Sequence, residues 1–134
     1  MSKSNAFETE VLAYVFTDVA MGIAGATQLD IHLHTADPGE AGTSATNEAT
    51  YTGYAAETVD RATSDWTVTG DTVVNDLLIQ FGLCTAGTNT LTHVSITEAG
   101  QTQILYSGAL SASLAVSAGI QPQFAPGALT ITEG

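Results

Sequence analysis

Apolar residues near the start of the chain recur at helical spacing. Phe7, Val11, Tyr14 and Val15 follow one another along one row, and Leu12, Phe16 and Val19 form a second row beside it. Two such rows predict a helix over about residues 5–20 with a broad apolar face. Asn5 followed by Glu8 has the form of a capping box, and Glu8 and Glu10 suit the positive end of the helix dipole. Gly22 and Gly25 end the pattern. A face this wide needs cover from its own domain, from a neighbouring subunit, or from both.

After Gly25 the period shortens to two. Leu29, Ile31 and Leu33 alternate with Asp30, His32 and His34, the signature of a half-buried strand. A loop rich in turn formers follows, from Ala36 through Asp37, Pro38, Gly39, Glu40 and Gly42 to about Ala49. Strand-like runs then cover Tyr51–Val59, Trp66–Val68 and Val73–Leu83, with a turn at Gly70–Asp71. Leu91–Thr97, Ile104–Leu110, Leu114–Val116, Ile120–Phe124 and Leu129–Thr132 complete the series. No helical pattern alternates with these runs, which disfavours a parallel α/β fold. About eight short strands, with turn signals at regular spacing, predict a mainly β fold. The expected architecture is an antiparallel, jelly-roll-like β-sandwich over about residues 28–133, preceded by one N-terminal helix. At 134 residues this is a single domain, 1–134, without internal repeats.

Charge narrows the partners. Fourteen Asp and Glu stand against Lys3 and Arg61, for a formal net charge of −12. Two cations cannot form the basic face that nucleic acid or an anionic membrane requires, so neither is an expected partner. No long apolar run predicts a membrane span, and no basic stretch before an apolar core predicts a secretory signal. The single Cys84 cannot close an internal disulfide, in keeping with assembly in a reducing cytoplasm. Acidity with almost no Lys also serves solubility in general, particularly where salt screens self-repulsion.

Candidate chemistry is sparse. His32 and His34 project from one strand face with Asp30 in register, a pair that a zinc site would complete with His93 or a distant carboxylate. The simpler reading gives these histidines hydrogen bonds on a polar strand face or at a subunit contact. Cys84 with His93 would be a nucleophile and base, yet a lone Cys after Leu83 reads as a small core residue. Asp37, Glu40 and Glu48 crowd one loop, where calcium is conceivable, but the spacing matches no EF-hand. No nucleophile elbow and no phosphate-binding glycine loop is present. No catalytic residue, cofactor or metal ligand is therefore assigned, and the protein is not expected to be an enzyme. The candidate assembly contacts lie on the helix and the long loop: Asn5, Phe7, Val11, Tyr14, Asp37, Pro38, Gly39 and Glu40.

The order of motifs says more than any one of them. Lys3-Ser4-Asn5 with Glu8 and Val11-Leu12 opens the chain, and Ile31 to Thr35 runs into Ala36-Asp37-Pro38, Ala41-Gly42, Glu48 and Tyr54-Ala55. Asn75 precedes Ile79 and Phe81, and His93 begins a strand. Leu105-Tyr106, Gly108-Ala109-Leu110, Gly119, Phe124 and Gly127 to Ile131 close the series. In this order the chain resembles a family of small tailed-bacteriophage virion proteins, labelled tail-fibre-like and in some phages found as capsid decoration, or cement, proteins. It departs from that family at Ala56, where a basic residue often follows the Tyr-Ala pair. The resemblance implies a homotrimeric decoration protein on the outer surface of the head, with the major capsid protein as its partner. It supplies no catalytic residues. The alternatives are a tail, fibre or baseplate adaptor, and a carbohydrate-binding sandwich for host attachment with Trp66, Tyr51 and Tyr54 as its stacking platform.

Overall fold

A computed structural model describes residues 1–134. The chain is mainly β, with ten antiparallel strands and one α-helix. The strands are β1 (Ser2–Lys3), β2 (Gln28–His34), β3 (Glu57–Asp60), β4 (Trp66–Thr69), β5 (Thr72–Asn75), β6 (Ile79–Gln80), β7 (Asn89–Glu98), β8 (Ile104–Val116), β9 (Gln123–Phe124) and β10 (Thr130–Thr132). They form a five-stranded sheet in the order β1-β8-β7-β2-β3, a three-stranded sheet β10-β5-β4, and the pair β6-β9. The main core lies between the large sheet and the two small ones. Ile31, Leu33, Leu91, Val94 and Ile96 from the large sheet meet Ile79, Phe81, Leu129 and Ile131 there.

Four predicted runs are drawn differently. The run Val73–Leu83 is two strands, β5 and β6, because Asn75 turns the chain between them. Its buried amide donates to Leu77 O at 2.8 Å and Ala125 O at 3.0 Å, while its Oδ1 accepts from Leu129 N at 2.8 Å. Conversely, Ile104–Leu110 and Leu114–Val116 are one strand, β8. The small residues Ser111, Ala112 and Ser113 contain no chain breaker, and the ladder to β7 continues past a bulge near Leu91–His93. Tyr51–Val59 narrows to β3 because Gly53 crosses the chain at Gly82. A Cβ on Gly82 would lie 1.9 Å from Gly53 O, and one on Gly53 would lie 2.2 Å from Leu83 O. This contact holds two backbones too close for any side chain. The two-residue β1, too short for any period to show, pairs Ser2 with Ser107 and Lys3 with Tyr106.

The helix α1 (Asn5–Thr17) starts one residue earlier than a cap at Asn5 implies and ends sooner than residue 20. Ser4, not Asn5, is the N-cap: its Oγ accepts from Phe7 N at 3.2 Å. The Ser4 hydroxyl also donates to Ile104 O. Ser4 N donates to Leu105 O, which pins this residue beside β8 and aims its hydroxyl at the helix start. Asn5 is already helical and exposed. At the other end Asp18 adopts a left-handed conformation, φ 55°, and stops the helix.

Candidate assembly surfaces

The long loop is a folded object. Thr35 N donates to Asn47 O and Ala49 N to Leu33 O, both at 2.8 Å, so both ends are laced to each other or to β2. Asp37 Oδ1 accepts from Gly39 N at 2.8 Å, Gly42 N donates to Gly39 O, and Ser44 N reaches Thr102 O. Gly42 is required here, since a Cβ would sit 2.0 Å from Pro38 O. Asn5 N donates to Glu40 O at 3.0 Å. The start of the helix and the tip of the loop are thereby one continuous edge. Asn5, Asp37 and Glu40 are exposed on it and Gly39 is half-buried, whereas Pro38 is buried and acts in packing.

The histidines hold this loop from beneath. Alternation on β2 places His32 and His34 on the face opposite Ile31 and Leu33, and both are buried because the loop covers that face. His34 Nδ1–H donates to Thr46 O at 2.8 Å, so Nε2 is free to accept from Ser95 Oγ at 2.7 Å. Burial, only partly opposed by the bond to Thr46, lowers the pKa of His34 below its ordinary 6.5. His32 donates from Nδ1 to Glu48 Oε1 at 2.7 Å, and its other nitrogen lies 3.1 Å from Thr97 Oγ1. Tyr54 OH also donates to Glu48 Oε1, and accepts from Leu33 N. Burial pushes the Tyr54 phenol well above its ordinary value, with the Glu48 carboxylate acting in the same direction. The histidines are thus hydrogen-bonded struts. No three His, Cys, Asp or Glu side chains gather as a metal-binding group. Asp37 turns toward Gly39 and Glu48 toward His32, so the loop acids do not pool.

Cys84 is fully buried with its thiol toward Ala86 O, and His93 is bonded to Thr92. The aromatic platform does not assemble. Tyr51 is buried with its hydroxyl on Gly82 O, and Tyr54 stacks on Phe81 at 6.3 Å between centroids, both within the core. Trp66 stands apart, half-buried in β4.

The helix meets its own domain through few residues. Phe7 is the buried one, packed with Ile23 and Leu105 and edge-on to Tyr106 at 5.6 Å. Val11 is half-buried and Tyr14 exposed. Leu12, Val15, Phe16 and Val19 are exposed as well, so the predicted apolar face is largely uncovered within the chain. Beside the helix base, the large sheet and the three-stranded sheet splay apart into a cleft of about 640 Å³. Leu29, Ile96, Trp66, Val68, Val73 and Ile131 are among its apolar walls, with Arg61 and Glu133 among the polar lining. Sequence reasoning missed this cleft. Its one trace was the Trp66–Val68 alternation, which marks an apolar strand face without showing whether anything covers it.

Both cations are engaged within the chain. Lys3 pairs with Glu133, which also accepts from Tyr106 OH. The bond from Lys3, then that from Tyr106, holds the Glu133 carboxyl below its ordinary range. Arg61 Nη1 donates to Ile23 O at 2.7 Å and to Ala26 O. No helix is long and apolar enough to cross a membrane.

The model of one protein family, described as podophage GP4 fiber I protein gp80, matches residues 2–132. No curated protein gives a significant match.

Proposed function

The chain belongs to the family of the podophage GP4 fiber I protein gp80, a family of phage virion structural proteins, and we propose that it decorates the head of the particle. In this reading it sits on the outer surface of the shell, binds the major capsid protein and links neighbouring capsid subunits. The edge built from the helix start and the loop tip, joined by Asn5 N and Glu40 O, carries the proposal. A loop already fixed by internal hydrogen bonds loses little conformational freedom on docking, so a modest patch binds usefully. Many copies on one shell then gain through multivalency. Asp37 and Glu40 on that edge call for basic residues from the partner, because Lys3 and Arg61 are used internally.

The family description favours a second reading, a fibre- or tail-associated adaptor. One domain of 134 residues without repeats is too short to form a shaft by itself, so an adaptor would be its place in a fibre. Counting copies per particle against the major capsid protein, together with imaging of labelled virions, separates the two. Copies comparable in number to the capsid protein and placed on the head support decoration. A few copies confined to the tail or a fibre transfer the protein to the adaptor reading, and absence from purified particles overturns both.

A further inference from the structure

All three histidines of the chain gather on one face of the large sheet. His32 and His34 lie on the outer face of β2 beneath the loop of residues 36–49, and His34 is in register with His93 on β7. The covering loop contains no Leu, Ile, Val, Met or aromatic residue, and only Pro38, Ser44 and Ala49 in it are buried. Hydrogen bonds hold it down instead: His34 Nδ1 to Thr46 O, Thr35 N to Asn47 O, Ser44 N to Thr102 O and Ala49 N to Leu33 O. A segment with so little apolar burial opens at low cost. The strand beneath it does not, because β2 lies between β3 and β7 and its other face, with Ile31 and Leu33, is core.

His34 is fully buried, and its neutral ring satisfies both nitrogens, Nδ1–H on Thr46 O and Nε2 as acceptor from Ser95 Oγ. A second proton, on Nε2, would place a charge where no water reaches. The titratable groups that face it are His32 from its own strand, His93 from β7 and Glu48 from the loop. Both histidines oppose a further positive charge, and the one carboxylate already accepts from His32 and Tyr54 through Oε1. An imidazolium at this position gains water only when the loop leaves. We propose that the loop is an acid-released latch: a proton on His34 Nε2 lifts residues 36–49 from β2 and breaks the joint between Asn5 and Glu40. The closed form holds one proton fewer than the open form, so opening gains about tenfold for each pH unit below the ordinary 6.5 of a histidine. Its consequence for the particle rests on the head-surface reading: the docking edge is built at neutral pH and undone in mild acid.

Purified protein tests the latch without virions, which keeps its failure distinct from that of the head-surface reading. Amide hydrogen exchange, corrected for its intrinsic pH dependence, is followed from pH 7.5 to 5, where an ordinary carboxylate is still ionised. Protection of the Ser44 and Ala49 amides should fall about thirtyfold across that range, while Val94 and Ile96 in β7 keep theirs. His34→Gln removes the titration and should leave loop protection independent of pH. Nitrogen NMR of the His34 ring in the wild-type protein gives a reading that needs no variant: the Nδ1–H tautomer at pH 7.5 should become imidazolium in step with loop opening. Loop amides equally protected at both pH values overturn the proposal. So does loss of the loop and β7 amides together, which is unfolding of the whole sheet, or an unchanged pH dependence in folded His34→Gln. On particles that carry the protein, a pH 5 wash should release wild type and retain His34→Gln. A loop that opens in solution while washed particles keep their wild-type copies upholds the latch and overturns the assignment of this edge to the capsid.

Discussion

Asn75 is the polar group whose removal the structure prices most directly. It is fully buried, and its side chain makes three hydrogen bonds, to Leu77 O, Ala125 O and Leu129 N. Asn75→Ala orphans all three partners. Leu129 is buried, so its N–H finds no water, and that loss alone costs about 1–3 kcal/mol. Leu77 is half-buried and Ala125 exposed, so their carbonyls partly rehydrate and lose roughly 0.5–1 kcal/mol each. The expected loss is therefore about 2–5 kcal/mol. Urea unfolding followed by Trp66 fluorescence measures it, and the dependence on denaturant should keep its slope. Asn75→Asp is the sharper control because it preserves shape. It keeps an acceptor for Leu129 N but turns a carboxylate toward two carbonyl oxygens, so at neutral pH it should be at least as damaging as Ala. Acidification should then relieve it, as the carboxyl takes up a proton and donates again. An Asn75→Asp protein as stable as wild type at neutral pH would refute the hydrogen-bond account and leave only a role in filling space.

Three further outcomes are expected. Because the folded-state pKa of His34 is depressed, the unfolded chain takes up its proton first as pH falls below about 6.5, and stability drops through that window by at most about 1.4 kcal/mol per pH unit from this group; His34→Gln should flatten that part of a melting-temperature profile. Ser4→Ala should cost about 1–2 kcal/mol in thermal unfolding whereas Asn5→Ala should stay within about 0.5 kcal/mol, and the reverse order would contradict the assigned cap. Gly82→Ala should lose about 2–3 kcal/mol or fail to accumulate as soluble protein, while Gly25→Ala, with open space around its Cβ position, should be nearly neutral.

What could be read from the sequence was whatever a local period encodes. The alternation in Leu29–His34 and Leu91–Thr97 located β2 and β7, and the rows from Phe7 to Val19 located the helix. Contacts between distant residues were hidden. Nothing near Asn75 announces that it will bind residues 125 and 129, so the break between β5 and β6 went unread. Ser4 became the cap because β8 holds it in place, a constraint that arrives from residue 105. The candidate surface divided in the same way. Asp37 and Glu40 were legible as exposed loop residues, but the bond that joins Glu40 to Asn5 exists only in three dimensions. Phe7 and Val11 share a helical row, yet only Phe7 is buried, because the row extends past the domain that covers its start.

The sheet order also sets a timetable. The first strand made, β1, lies beside β8, pairing residues 2 and 3 with 107 and 106, and Lys3 closes onto Glu133. Contacts at such separation must wait until most of the chain has left the ribosome, and long loop closures of this kind make folding slow. During that wait Ser4 has no β8 to lean on, so α1 and its outer apolar residues are loosely held. Completion of the sheet fixes the Ser4 cap, and with it the start of the helix. The exposed apolar side chains of α1 are then most open to wrong contacts before the last strands arrive, and chaperone protection matters most in that interval.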